Sequence, residues 1–315
     1  MSEALSVSPD RRAPTLARKD IDGILVLDKA LGISSNRALQ QVKHLLRARK
    51  AGHSGSLDPL ASGVLPLFFG EATKVAGIAL EADKTYIVKL RLGVTTTTGD
   101  AEGEILEQRP VPELTDDQLR SAVASFVGKI AQTPPMYSAL KHQGRPLYEY
   151  ARRGETIDRP ARTIYIHSAE LLSRAVDEIE LKVACSKGTY IRTLVEDIGK
   201  VLGCGASVTA LRRTVAGPFA LSDALSVEEL EQRIGAADEI GDGILRPMDS
   251  VLTAWPAINL SEDVGAKFCR GQAIRVEQVA LDGLVRVYGR EKEFFGFGAV
   301  SAGVLHAKRV VHNEK

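Results

Sequence analysis

Residues 52–66 read Gly-His-Ser-Gly-Ser-Leu-Asp-Pro-Leu-Ala-Ser-Gly-Val-Leu-Pro, with three glycines and two prolines in fifteen positions. Glycine is at home at positive φ and proline fixes φ while removing a donor, so this density argues against a helix or strand and predicts a shaped loop. Within it stands one acid, Asp58, stiffened by Pro59, because the residue before a proline is held away from the α region. On residue types alone Asp58 is either a turn residue bonding its own backbone or a fixed reactive carboxylate. A phosphate-binding P-loop is excluded, since Gly-Lys-Ser/Thr does not follow here or later. So is a hydrolase nucleophile elbow: after Gly52 and Ser54 the position that should close the motif is Ser56.

The 315 residues are enough for about two domains, and 44% hydrophobic with 26% charged residues is a globular balance. Cys185, Cys204 and Cys269 form neither a Cys-x-x-Cys pair nor an even set, which speaks against disulfides and structural zinc and for a reducing cytoplasm. No apolar run reaches the length of a membrane span, and residues 1–20 lack a signal-peptide core and are expected to be a disordered tail. The net charge of +1 conceals segregation: 141–162 carries +3, 182–213 carries +4, and 221–245 carries −6. Basic faces opposed by an acidic one suit a polyanion docking on one side.

In chain order, 23–28 is a short buried strand, and Ser34 or Ser35 caps a helix bearing Leu39, Val42, Leu45 and Leu46. Glu71–Leu80 is predicted helical, and 85–92 alternates as a strand beginning near Tyr86. Thr95–Gly103 is a polar turn containing Asp100. Thr115 with Gln118 predicts a capping box for a helix using Leu119, Val123, Phe126 and Val127. A strand over 179–185 leads to a helix with the buried stripe Ile191, Leu194, Val195, Ile198, Val201 and Leu202. Arg192 sits one residue off that stripe in the first turn, where a cation opposes the helix dipole. Residues 205–215 form another strand, Ser226 with Glu229 caps an acidic helix, and Leu245-Arg246-Pro247 marks a domain boundary. Beyond it, short glycine-separated strands over 283–289, 293–300 and 305–311 suit a small barrel.

The loop containing Asp58 resembles the catalytic loop of the TruB-type tRNA pseudouridine synthases, Gly-His-Thr-Gly-x-Leu-Asp-Pro-x-Ala-x-Gly-x-Leu, with Ser54 in place of the threonine. Lys187-Gly188-Thr189-Tyr190-Ile191-Arg192 resembles the family's second hallmark, and Lys84-Thr85-Tyr86 its Lys-x-Tyr segment. Lys29-Ala30 stands where the family has Lys-Pro. The resemblance implies that Asp58 is the nucleophile, that Arg192 pairs with it, and that Tyr86 lies against the target uracil as a proposed base for its C5 proton. It further implies that Tyr190 and Leu211 line and close the nucleotide pocket. His53, an imidazole at the loop's edge, either fills the stack the flipped base leaves or is a hydrogen-bonded loop histidine. Lys29 and, in an RNA-gripping insertion at about 132–160, Lys141, Arg152 and Arg153 are the remaining candidate substrate contacts.

The expectation is therefore an α+β protein. Residues 21–248 form the catalytic domain, with a mixed, mainly antiparallel sheet flanked by helices, and 249–315 form a PUA-like RNA-binding β-barrel. The implied reaction isomerises the uridine at tRNA position 55, in the T-loop, by base flipping, with no cofactor and no metal. The implied partner is the tRNA T-arm stem-loop; no membrane and no protein partner are expected, and the implied state is a monomer. Two other readings share the aspartate loop or the fold: the catalytic subunit of an RNA-guided particle, and a non-catalytic tRNA-binding folding chaperone. Against the first stand the long insertion and the absence of a lysine-rich tail; against the second, intact Asp58, Tyr86 and Arg192.

Overall fold

A computed structural model of the chain describes residues 17–234, 243–276 and 282–311. Residues 1–16 of the expected tail lie outside them. Lys19, placed in that tail by the sequence, instead pairs with Ala48, and Asp20 meets Arg49 at 3.1 Å.

Seven strands form the main path of a large sheet in the order Gly23–Lys29, Ala61–Phe69, Ala206–Ala216, Lys84–Leu92, Glu178–Cys185, Arg162–Arg174 and Gly128–Gln132. Every pairing is antiparallel except that of Ala61–Phe69 with Ala206–Ala216. The mixed, mainly antiparallel α+β sheet expected from the sequence is thus the one observed.

The strand Ala61–Phe69 corrects the reading of 52–66 as all loop, for it runs through Gly63 and Pro66. Gly63 adopts φ +102°, and a Cβ there would lie 2.2 Å from the Arg213 carbonyl of the parallel neighbour, so only glycine permits the approach. Pro66 is tolerated because its carbonyl accepts from Ser54 N (3.3 Å). Its missing N–H therefore faces the edge where the strand exchanges Ala206–Ala216 for the short strand Ala51–His53. Only residues 54–60 remain irregular, at the place where the sheet splits.

At Gly23–Lys29 and Ala61–Phe69 both faces of the sheet are covered, so these strands read as nearly continuous apolar runs, whereas Lys84–Leu92 and Glu178–Cys185 alternate buried with more exposed positions. In Gly23–Lys29, Leu25 and Leu27 join a core with the helices Ser35–Leu45, Asp116–Ala124 and Ile191–Val201. Ile24 and Val26 face the other way, into a core with Phe68, Phe219, Val251, Leu252, Phe294, Phe297 and Val311. That second core joins the large sheet to the C-terminal segment. The latter forms an open five-stranded sheet, Ala257–Asn259, Gly283–Tyr288, Phe294–Ser301, Val304–Val310 and Ile274–Arg275, with its own core around Phe268, Val287 and Leu305. Arg246 exchanges backbone hydrogen bonds with Ile24 (2.9 and 2.7 Å), so the expected boundary tripeptide adds to the sheet edge before the chain turns away at Pro247.

Local signals held with shifted ends. Ser34, not Ser35, caps its helix, and the Thr115–Gln118 and Ser226–Glu229 boxes are formed. Glu71–Leu80 divides into a 3-10 turn, Gly70–Lys74, and a short helix, Ala76–Glu81. Val127 and Val201, expected inside, are exposed at 45% and 59%, because the helix Asp116–Ala124 ends before the former and the latter closes its helix on the solvent side.

Candidate active site

Asp58 is held from behind. Ser35, freed from capping, turns inward: its Oγ accepts from Leu57 N (2.7 Å) and donates to Leu57 O (3.0 Å), and Gly32 N donates to Pro59 O (2.8 Å). Ala61 N closes the turn onto Asp58 O at 3.0 Å. The completely buried Lys29 fixes the supporting turn by donating from Nζ to Ala30 O (2.9 Å) and Ile33 O (2.6 Å). Burial lowers the Lys29 pKa to about 8, with the charges of Asp58 and Glu102 opposing the fall and Arg213 adding to it. The side chain thus braces the loop with its ammonium close to the Asp58 carboxylate.

In front, Arg192 NH2 lies 2.9 Å from Asp58 Oδ2, and the two side chains differ sharply in exposure, 7% against 46%. Arg192 also donates to the carbonyls of Thr98 (2.8 Å) and Tyr137 (2.7 Å), and its Nε stands 3.5 Å from Asp100 Oδ2. Asp100 is itself buried and accepts from Thr98 Oγ1 (2.6 Å) and Glu102 N (3.1 Å). Opposed charges and fixed acceptors leave the guanidinium one orientation, pointing a charge-assisted donor at Asp58. The helix Ile191–Val201 that carries Arg192 has no side-chain cap. Instead Gln132 binds the Tyr190 backbone twice, accepting from N at 2.8 Å and donating to O at 3.1 Å.

A cavity of about 440 Å³ opens beside Asp58 and is lined by Tyr86, Tyr190, Leu211 and Arg192, four of the residues named from sequence. Burial raises the pKa of Tyr86 and that of Tyr190. Both phenols are therefore uncharged near neutrality. An apolar, water-poor wall beside an ion pair strengthens that pair's field.

A second cavity, of about 650 Å³, adjoins the first across Asp58 and Arg192 and is lined by His53, Glu102, Tyr148 and Arg152. Burial, with Arg213 secondary, lowers the His53 pKa, so the imidazole is neutral, and its buried Nδ1 has no protein partner. Arg152 lies 5.4 Å above the Tyr148 ring. Lys141 is exposed on the small hairpin Lys141–His142/Arg145–Pro146, and Arg153, over Tyr150, is 3.8 Å from Glu155. Neither of these two lines either cavity, and Lys29 lies beneath the floor.

Three residues of the site had no role assigned from the sequence. Asp100 was read only as part of a polar turn. Lys84 and Arg213 line the first cavity, both buried, and a strand-period signal existed for each: Lys84 shares a face with Tyr86, and Arg213 with Leu211. Arg212, between them, points to the other face, toward Asp28 (2.6 Å) and Ser62 (3.1 Å).

A single carboxylate gripped by a buried arginine thus stands at the mouth of a tyrosine-lined cavity on a split mixed sheet. The fold matches the crystal structure of a Cbf5-Nop10-Gar1 complex with a TM-score of 0.72 and 25% identity, over 92% of this chain and 84% of that one. Residues 43–191 match the profile of the TruB family pseudouridylate synthase N-terminal domain. Residues 192–253 and 256–311 match two C-terminal profiles of the same enzymes. The chain is 52% identical to the tRNA pseudouridine synthase B of Stutzerimonas stutzeri, over 94% of this chain and 98% of that protein. To that of Nitrosococcus oceani it is 50% identical, over 94% and 96%. The chain belongs to the TruB family of pseudouridine synthases.

Proposed function

We propose that this protein isomerises the T-loop uridine of tRNA to pseudouridine, acting as a monomer in the cytoplasm, with Asp58 as nucleophile. The observation that carries the reading is the Asp58–Arg192 pair at the mouth of a cavity with room for a flipped nucleotide and walled by Tyr86, Tyr190 and Leu211. The relatives at about 50% identity, each named a tRNA pseudouridine synthase B, supply the substrate class.

The target base lies within a folded RNA loop and must leave its stack, at a cost of roughly a few kcal/mol. Neutral His53, in the adjoining cavity, offers a flat surface for a neighbouring base, and Arg152 a cation for the chain that follows it. Lys141 and Arg153, exposed outside both cavities, would meet backbone phosphates. Once the uracil is between Tyr86 and Tyr190, Arg192 holds the Asp58 carboxylate aimed at it. The N1–C1′ bond breaks, the ring turns, C5 bonds to C1′, and the C5 proton departs to the Asp58 carboxylate freed in that step, relayed where needed by the neutral Tyr86 hydroxyl beside the ring. The mass of the RNA is unchanged.

Tritium release from a T-arm hairpin carrying [5-³H]uridine tests this. Wild type is expected to release tritium, and Asp58→Asn to bind the hairpin with no release. Binding without release by the wild type would leave a tRNA-binding chaperone and overturn the catalytic assignment. A requirement for a guide RNA would move the protein to the RNA-guided class, whose solved members share its fold.

A further inference from the structure

The first cavity contains two cations to which the chemistry above gives no work. Lys84 is 7% exposed and Arg213 1%. They stand side by side behind the catalytic loop: a Cβ on Gly55 would lie 3.4 Å from an Arg213 guanidinium nitrogen and 3.9 Å from Lys84 Cε. Their hydrogen bonds go to uncharged acceptors. Lys84 Nζ donates to Leu80 O and Ala82 O, and Arg213 to Val64 O (2.7 Å) and Gly55 O (2.9 Å). Among the described residues neither forms an ion pair, whereas Arg192 is matched by Asp58 and Asp100.

Buried charge without a counter-ion is costly, and two such cations on one wall leave the cavity facing an unbalanced positive field. Burial, then the neighbouring Arg213, lowers the Lys84 pKa to about 8, against the pull of Cys185 and Asp83, so the ammonium persists at neutrality but is short of an anion. The two carbonyls use two of its three N–H groups, leaving one for the cavity.

We propose that Lys84, backed by Arg213, is a catalytic residue that stabilises the negative charge released onto the uracil ring when the N1–C1′ bond breaks. The inference rests on the pseudouridine-forming reading of the site. As the Asp58 carboxylate bonds to C1′, the electron pair of the N1–C1′ bond stays on the uracil and spreads over O2 and O4. When C5 then attacks C1′, the C1′–O bond returns its pair to Asp58. C5 loses its proton to a base and N1 gains one, so charge and atoms balance. The oxygen-centred charge exists only between the two steps, and a fixed cation facing it acts where the barrier lies. A phosphodiester is the other anion the RNA offers. It is the poorer fit, because both cations flank Tyr86 inside the cavity, where a flipped base enters and the backbone remains outside.

The test is single-turnover isomerisation with saturating T-arm hairpin, together with hairpin affinity, for wild type, Lys84→Gln and Lys84→Arg. Lys84→Gln is expected to slow the single-turnover step about a hundredfold while changing Kd less than threefold, and Lys84→Arg to recover at least tenfold of that loss. Replacing uridine by 5-fluorouridine, whose ring bears negative charge more easily, should shrink the Lys84→Gln defect at least fivefold. This is read as loss of the fluorinated nucleoside in favour of its rearranged product. Because that comparison is made within one protein, a misfolded fraction cancels; if Lys84→Gln does not fold, Lys84→Met takes its place. A raised Kd with an unchanged rate would make Lys84 a phosphate contact, and an unchanged rate and Kd a structural one; either overturns the proposal. Inactivity of the wild type itself would instead remove the reading on which it rests.

Discussion

Lys29 is a completely buried lysine whose surroundings give its stability contribution a defined dependence on pH. Its pKa is near 10.5 in the unfolded chain and about 8 in the fold, chiefly through burial. Below about 8 the side chain is charged in both states, and the whole cost of burying the ammonium is present. Between the two values the unfolded chain holds the proton and the folded chain does not, so the unfolded state binds more protons and stability rises with pH. At 1.36 kcal/mol per unit, the gain from about pH 7 to pH 10 is roughly 2–3 kcal/mol. Lys84, also lowered to about 8, adds in the same direction, whereas Cys185, raised to about 11 by burial, subtracts above its unfolded value. Lys29→Met isolates one term from the three. Urea unfolding of wild type and variant, followed by circular dichroism at a series of pH values, should show the wild type gaining roughly 2–3 kcal/mol on the variant across that range. A difference flat to within about 0.5 kcal/mol would refute the argument, showing that Lys29 titrates in the fold as it does in water.

Asp100→Asn removes the second carboxylate from Arg192 and leaves the hydrogen-bonding shape nearly intact. A lost charged contact of about 1.5–3 kcal/mol should slow single-turnover isomerisation about ten- to a hundredfold with little change in RNA affinity, and an unchanged rate would remove Asp100 from the site. Gly63→Ala would place its Cβ 2.2 Å from the Arg213 carbonyl, and should cost about 4 kcal/mol or more in thermal unfolding. Gly188→Ala, at φ +77° with open space around it, should cost only about 1–2 kcal/mol; similar losses at both positions would mean that φ, not the strand approach, governs Gly63.

Much of the site was legible locally, because local chemistry sets it. Pro59 after Asp58, the Thr115–Gln118 box and the periodic stripe of the helix bearing Arg192 are short-range features, and the structure keeps each. Periodicity failed at the ends of elements, as with Val127 and Val201, since a 3.6-residue pattern says which side a residue faces but not where the helix stops. Composition failed at Gly63 and Pro66. Residues that break an isolated strand are accommodated where a parallel neighbour comes within van der Waals distance and where a strand changes partner, and neither condition is written in the segment itself.

What the sequence determined by itself was which groups could do the chemistry: one stiffened acid, one misplaced helix-start arginine, two tyrosines and a leucine. Only the tertiary structure decided their company. Asp58 and Arg192 meet because the split sheet brings the loop's mouth against the start of a distant helix, and Asp100 joins them from a turn with no distinguishing sequence. Lys84 and Arg213 were visible as cations on strands, but a period of two cannot tell a solvated face from a covered one. They became buried cations in the first cavity, without an ion pair among the described residues, only when the helix Ala76–Glu81, the loop at 54–60 and the parallel strand closed around them.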